Sequence, residues 1–253
     1  MAQEKQEFLF DYLSSENRIL QKGLSQNTVF TILQDRQGYL WFGTWDGLNK
    51  YDGYNFTIFN LDDGLSNETI NTMIETTDGN LWIGTEFGLN CYHYKTGKFT
   101  SYLHQPDDST TISDNFISYL YQDKPGRLIA CTPKGLNVFD LETGKARRYQ
   151  SREANQRNTR SNFINCIFSD SDIYWTGSNF GLVSYNSVTR ENIRFLNRPD
   201  DPQSLSNNNV RVIYQDQQHQ LWIGTDNGLN LLDSEKGSFT VFQHNPSDPA
   251  SVS

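Results

Sequence analysis

The sequence predicts an all-β chain built from repeated four-stranded antiparallel sheets. One ten-residue segment recurs five times, each copy is surrounded by short apolar runs and turn residues, and helical periodicity is absent throughout the sequence. The composition agrees, because only 36% of the 253 residues are apolar whereas 13% are aromatic. This balance favours many short strands and turns over one large helical core.

The recurring segment has the pattern Leu-Trp-Phe/Ile-Gly-Thr-x-x-Gly-Leu-Asn. It is complete in the copies that start at Leu40, Leu81 and Leu221, and altered in the copies that start at Leu128 and Tyr174. The shared glycine falls at positions 47, 88, 135, 181 and 228, so the spacing ranges from 41 to 47 residues. A period of this length is typical of arrays of supersecondary units.

Each copy divides into four short runs rich in β-branched and aromatic residues, which predicts four strands. In the first copy these runs are Val29–Gln34, Leu40–Thr44, Leu48–Tyr51 and Phe56–Asn60. Asp35 to Gly38 predicts a type I turn closed by a glycine, and Asp52-Gly53 predicts a two-residue hairpin. Four antiparallel strands per repeat of this length are typical of a β-propeller blade.

Polar, proline-rich stretches between the copies predict the crossings from blade to blade. The predicted units are a leading strand in 1–22, five complete blades over 23–62, 63–104, 105–151, 152–197 and 198–244, and the start of a sixth blade in 245–253. Because the fifth blade has its own outer strand, Ser238–Gln243, we expect the leading strand to complete a blade whose other strands are missing.

The chain is therefore expected to be a truncated part of a larger propeller of about seven blades, and a ring closed with five blades stays open as an alternative. An open arc would expose an apolar blade face at each end, which favours self-association.

The repeated tryptophans and the glycines that follow them are interpreted as packing residues. A ligand contacts one locus, whereas these residues return at one strand position in nearly every blade. The tryptophans are expected in the core, and the glycines are expected to allow close approach of the backbone. The residues concerned are Trp41, Trp82, Trp175 and Trp222, with Gly43, Gly84, Gly177 and Gly224.

Composition and spacing exclude several classes of function. The chain has 21 Lys+Arg against 30 Asp+Glu, a net charge of −9, so we expect no direct contact with nucleic acid or anionic lipid. No apolar run is long enough to span a bilayer. The cysteines Cys91, Cys131 and Cys166 lack a CxxC spacing and are expected to be buried thiols. No metal site and no cofactor are predicted.

The first copy closely resembles the two-component regulator propeller repeat. The resemblance rests on Gly23-Leu24-Ser25, Gln34-Asp35, Gly38 to Thr44, and Asp46 to Gly53, and it covers roughly residues 20–253. Copy three departs from the pattern at Ile129 and Cys131, and copy four lacks the Asp-x-x-Gly turn. These departures are expected to weaken individual blades.

The resemblance implies a periplasmic sensor domain of a Bacteroides-type hybrid two-component system. Such parents have an exported double propeller, a membrane helix in the inner membrane, a histidine kinase, a receiver and a DNA-binding domain. They signal oligosaccharide availability, and their ectodomains act as dimers. This segment would then touch the membrane only through the missing part of its parent, and the kinase would lie outside it.

The loops between second and third strands are the candidate ligand-binding positions, because they should emerge on one face of the scaffold. Aromatic rings beside carboxylates and amides match the apolar faces and hydroxyls of sugars. The alternative is that these side chains pack between blades or decorate the turns. The candidates are Trp45, Asp46, Glu86, Phe87, Lys134 (beside Pro133), Asn179, Phe180, Asp226 and Asn227.

Two other classes of function remain as alternatives. One is a protein-interaction propeller without a sugar ligand. The other is a propeller glycosidase or lyase, since Asp35-x-x-Gly38-x-x-Trp41 faintly resembles the aspartate box of sialidases, itself a structural turn. Glycosidases use a pair of carboxylates about 5–10 Å apart, and no unique pair stands out, so no catalytic residues are assigned.

Overall fold

The residues that the structure describes form five four-stranded antiparallel sheets, as the sequence predicts. The computed structural model describes residues 23–149, 163–248 and 251. In every sheet the strands pair in chain order, so each sheet is an antiparallel meander, the form of a propeller blade. Within the described residues the helical structure is a single 3-10 turn over Leu61–Asp63.

The strands are numbered β1 to β20, four to a blade. Blades 1 and 2 contain β1 Val29–Gln34, β2 Leu40–Thr44, β3 Leu48–Tyr51, β4 Phe56–Phe59, β5 Ile70–Glu75, β6 Leu81–Thr85, β7 Gly88–His93 and β8 Lys98–Tyr102. Blades 3 to 5 contain β9 Tyr119–Lys124, β10 Arg127–Thr132, β11 Gly135–Asp140, β12 Ala146–Tyr149, β13 Ile164–Asp170, β14 Ile173–Ser178, β15 Gly181–Asn186, β16 Asn192–Phe195, β17 Val210–Gln215, β18 Leu221–Thr225, β19 Gly228–Asp233 and β20 Ser238–Phe242.

The first strands of neighbouring blades lie side by side, so β1, β5, β9, β13 and β17 are the innermost strands about a shared axis. Four of the five blades have a β-bulge near the start of this strand. A bulge leaves one residue unpaired and re-aims its side chain. The bulged residues are Phe30, Asn71, Asn165 and Arg211.

A buried network of serine, threonine and asparagine ties the crossing segment to its blade in blades 1, 2, 3 and 5. In blade 1 the Ser25 N–H donates to Asn49 Oδ1 at 2.7 Å, and Asn49 Nδ2 donates to Ser25 Oγ at 2.8 Å. The Thr44 hydroxyl donates to the Gly47 carbonyl at 2.9 Å. The bonds from the serine N–H to the asparagine and from the threonine hydroxyl to the glycine carbonyl recur in three more blades, with Ser66, Thr85 and Asn90, with Ser113, Thr132 and Asn137, and with Ser206, Thr225 and Asn230.

Trp41, Trp82 and Trp175 pack between blades, whereas the half-buried Trp222 contacts Phe242 of its own blade. Trp41 and Trp82 are buried, and the Trp41 ring contacts Tyr92 of the next blade at 5.4 Å between centroids. Asp35 accepts the Trp41 Nε1 proton at 2.8 Å and the Tyr94 hydroxyl proton at 2.9 Å. The Asp35 turn is therefore structural. Gly38, which closes this turn, has a φ of 91°, and this left-handed conformation favours glycine.

The glycine after each tryptophan allows close packing. A Cβ on Gly84 would lie 2.5 Å from Ile117 Cγ2, and one on Gly177 would lie 2.4 Å from Val210 Cγ1. Ile117 and Val210 both belong to the following blade. The prediction of close backbone approach is confirmed at these positions.

Within the described residues, the junction between blades 3 and 4 contains a cluster of three buried apolar residues, Ile129, Cys131 and Ile167. Ile129 stands where other blades have tryptophan, and a polar contact replaces the lost packing. Asp123 accepts hydrogen bonds from Arg127 Nε at 2.9 Å and from the Tyr174 hydroxyl at 2.8 Å. Burial acts to raise the pKa of Asp123, but these hydrogen bonds lower it.

Some local predictions differ from the structure. The loop after β3 spans four residues rather than two, because Asp52 Oδ1 accepts the N–H groups of Tyr54 and Asn55 and forms a wider turn. β4 and β20 each end one residue earlier than predicted. The three cysteines are buried and free, as expected. The leading strand in 1–22 lies outside the described residues.

We expect the substitution Asn137→Ala to destabilise the protein by about 2 kcal/mol or more. It leaves the buried Ser113 N–H without its acceptor, and an unsatisfied buried polar group costs about 1–3 kcal/mol. Urea denaturation followed by tryptophan fluorescence measures the change. The exposed amide Asn227 serves as control, where alanine should change stability by about 0.5 kcal/mol or less. Equal effects at the two positions would refute a structural role for the network.

Candidate ligand-binding site at the axial rim

The loops between second and third strands lie at one end of the axis, beside the crossings between blades. The Gly47 N–H donates to the Glu68 carbonyl at 2.8 Å, and the Gly181 N–H donates to the Asn208 carbonyl at 2.7 Å. Each bond joins a loop to the segment that precedes the next blade's first strand. We call this end of the molecule the axial rim: the five loops, the bulged residues and the segments just before the first strands.

Blade 1 places two exposed aromatic side chains together on the axial rim. The rings of the bulged Phe30 and the loop residue Trp45 meet edge to face, with centroids 5.7 Å apart. Phe30 is 47% and Trp45 58% exposed. Neither ring contributes to a blade core, in contrast to the buried Trp41. The pair thus offers an apolar surface to solvent at the mouth of the axis.

Blades 4 and 5 form a continuous polar network on the same rim. Asn165 Nδ2 donates to Asn179 Oδ1 at 2.9 Å and to Asn209 Oδ1 at 3.3 Å, and Asn209 in turn donates to Asp226. Arg211 donates to both oxygens of Asp226, from Nε at 2.6 Å and from Nη2 at 3.1 Å. The hydrogen bond from Arg211 lowers the pKa of Asp226.

The remaining predicted residues are also on the rim but are less closely connected. Lys134 pairs with Asp114 at 3.1 Å. Glu86 and Phe87 are exposed, Phe180 is half-buried, and Asp46 is half-buried beside Trp45. The backbone carbonyl of the exposed Asn227 accepts a hydrogen bond from Gln243 at 2.9 Å. The structure thus brings Asn179 and Asp226 together, and leaves Glu86 and Lys134 apart from that network.

Sequence reasoning missed the partners that the bulges supply. In three blades the bulged residue contacts the first loop residue, and the two are chemically matched: Phe30 with Trp45, Asn165 with Asn179, and Arg211 with Asp226. Alignment of the repeat copies shows that the residue types at these two positions change together from blade to blade. The contact between the two side chains, however, depends on the β-bulge, which only the structure shows.

The described residues provide neither a reactive thiol nor a cluster of metal-binding side chains. Burial raises the pKa of the Cys91 and Cys166 thiols to about 12, so neither is a ready nucleophile. No group of three or more His, Cys, Asp or Glu side chains in the described part is arranged to hold a metal ion. The described residues also include no helix long and apolar enough to cross a membrane.

A cavity of about 550 Å³ lies at the opposite end of blade 3. It is formed by the turns before β10 and β12, and its lining includes Arg127, Asp140 and Lys145. None of the predicted site residues lines it. Asp140 accepts hydrogen bonds from its own turn, and Arg127 is held by Asp123, so this cavity is a gap between turns rather than a converging set of side chains.

Comparison with known proteins supports the interpretation of the repeats. Residues 23–46, 64–87 and 204–227 match the model of the two-component regulator propeller. These segments lie in blades 1, 2 and 5, the three copies with the complete motif, and they are two-component regulator propeller repeats.

Similarity to individual proteins points the same way. A 64-residue stretch is 35% identical to histidine kinase P4 of Formosa agariphila, and covers 25% of this chain and 5% of that protein. The extracellular domain of a putative hybrid two-component system from B. thetaiotaomicron is 28% identical, with a TM-score of 0.76 over 88% of this chain and 30% of that one. PorZ, a surface component of the type-IX secretion system of Porphyromonas gingivalis, shares the fold at 15% identity and a TM-score of 0.61, over 85% of this chain and 33% of PorZ.

The two tryptophans of blade 1 should respond differently to truncation. Trp41→Ala removes a buried ring and the partner of Asp35, so we expect a loss of about 3–5 kcal/mol in the free energy of unfolding. Trp45→Ala removes an exposed ring and should cost about 1 kcal/mol or less. Urea denaturation of both variants tests this. A large loss in the free energy of unfolding for Trp45→Ala would mean that the aromatic pair stabilises the fold, and it would contradict a role of the pair in ligand binding.

Proposed function

We propose that this chain is a segment of the extracytoplasmic propeller of a two-component sensor and that its axial rim binds an oligosaccharide. The sensor role is supported by the two-component regulator propeller repeats and by the likeness to the extracellular domain of a hybrid two-component system. The chain spans 30% of that domain and 5% of the kinase relative. The histidine kinase, the inner-membrane anchor and the periplasmic location therefore belong to the proposal for the whole protein.

The exposed pair of Phe30 and Trp45 is the observation that carries the ligand proposal. Large aromatic side chains are normally buried because of their apolar area, whereas Phe30 on β1 and Trp45 on the neighbouring loop are exposed to solvent on a rigid scaffold. An aromatic face stacks on the C–H face of a sugar ring. The amides and carboxylates elsewhere on the rim can satisfy hydroxyl groups that lose water on binding.

Signalling would follow from preferential binding to one arrangement of the ectodomains. A ligand shifts an equilibrium only by its difference in affinity for the two states. In a receptor dimer, an oligosaccharide that binds one arrangement more tightly would move the ectodomains against each other. The change would reach the kinase through the membrane helix of the parent.

Binding of a protein partner is the second candidate function. It is favoured by the face of blade 5 that points away from blade 4. Val212 and Tyr214 are 51% and 61% exposed there, and contiguous exposed apolar side chains mark interaction surfaces. A second copy of this chain is one such partner, because self-association through a blade face would use this surface. This candidate differs from the first in its site, because binding at blade 5 does not involve the aromatic pair of blade 1.

Glycan binding by the purified protein tests the proposal. We expect binding on an oligosaccharide array, confirmed by calorimetry, and an affinity at least about tenfold lower for Trp45→Ala, since an aromatic contact of about 1.4 kcal/mol corresponds to a factor of ten. Tyr54→Ala is the matched control. Tyr54 is 85% exposed, and lies between β3 and β4 at the opposite end of blade 1, so its loss should leave the affinity unchanged.

Three results would count against oligosaccharide sensing at the rim. They are the absence of any bound glycan, equal affinity of Trp45→Ala and the wild type, and chemical turnover of a bound glycan. Loss of a protein partner in Tyr214→Glu with retention in Trp45→Ala would instead support the second candidate.

A further inference from the structure

We infer that the oligosaccharide bound at the axial rim is neutral and that acidic glycans bearing uronate or sulfate groups are rejected. The inference rests on the proposed function and deepens it, because it names the chemical class of the ligand. It is carried by the distribution of charge around the rim, a property separate from the aromatic pair.

Two of the rim's cations are already neutralised by carboxylates. Arg211 uses two N–H groups on Asp226, at 2.6 and 3.1 Å. Lys134 Nζ lies 3.1 Å from Asp114 Oδ2. Each pair leaves little net positive charge at its position on the rim. An anionic ligand that approached either cation would also lie beside a carboxylate, whose negative charge repels it.

Carboxylates without a counter-charge remain on the rim. Glu86 is exposed in the loop of blade 2, and Glu68 lies where the crossing to blade 2 meets the loop of blade 1. Neither side chain takes part in an ion pair within the described part of the chain. The chain as a whole carries a net charge of −9. The field at the rim therefore repels an approaching anion.

The hydrogen-bonding groups of the rim also match a neutral ligand. The amides of Asn165, Asn179 and Asn209 present both donors and acceptors, and a sugar hydroxyl likewise donates and accepts. An ionised carboxylate or sulfate group only accepts, so it can use the amide N–H groups of the rim but donates nothing to the amide and carboxylate oxygens. The network of blades 4 and 5 is therefore suited to hydroxyl groups.

A glycan array with charge-matched pairs tests the inference. Each neutral oligosaccharide is printed beside its acidic counterpart on the same backbone, for example methyl-esterified and free-acid oligogalacturonides, or agaro-oligosaccharides with and without sulfate. We expect the bound glycans to be neutral, with at least tenfold weaker binding of the acidic partner in 50 mM salt. Because salt screens charge repulsion between exposed groups, the difference should shrink in 500 mM salt.

Two glutamine variants locate the effect. Glu68→Gln removes one rim carboxylate and should strengthen binding of the acidic partner severalfold. Glu142→Gln is the matched control, since Glu142 lies in the turn before β12 at the opposite end of blade 3, and it should change neither affinity. Tighter binding of acidic than of neutral partners would overturn the inference and leave the sensor function in place. Absence of binding to both classes would overturn the proposed function itself.

Discussion

In blades 1, 2, 3 and 5, buried hydrogen bonds from a serine, a threonine and an asparagine hold the crossing segment against the turn between the second and third strands. In blade 1, Asn49 both accepts from the Ser25 N–H and donates to its hydroxyl, and Thr44 closes the turn itself. Breaking either contact would leave a buried polar group without a partner. As a result the turn keeps its backbone conformation, while the residue types at the two loop positions between the second and third strands can vary. Trp45 and Asp226 can therefore occupy the same place in different blades.

The repeat explains why so much of the fold could be predicted from the sequence. Trp82 and Gly84 recur because every junction has to bury the same surface, so their packing role follows from periodicity alone. The rim could be predicted only in part. The loop residues were found by their position, but Phe30 and Arg211 were not, because strand alternation does not show where a bulge turns a side chain. A bulge depends on pairing with the neighbouring strand, which one copy of the sequence does not reveal.

Departures from the repeat show how each junction adjusts to the loss of one interaction. In blade 2 a threonine, Thr76, stands where Asp35 holds Trp41, and the buried Trp82 Nε1 has no hydrogen-bond partner among the described residues. In blade 3 the tryptophan is replaced by Ile129, and Asp123 instead binds Arg127 and Tyr174 across the junction. The aspartate and the tryptophan of the motif are therefore coupled. Where the tryptophan is absent, the aspartate accepts hydrogen bonds from other donors.

The same coupling constrains how a ligand could act on this molecule. The Gly181 N–H of one blade is bonded to the backbone of the next, so a ligand cannot move one rim loop alone without breaking such bonds. Interfaces and packed cores respond by shifting between discrete arrangements rather than by bending. A ligand on the rim would therefore act on whole blades.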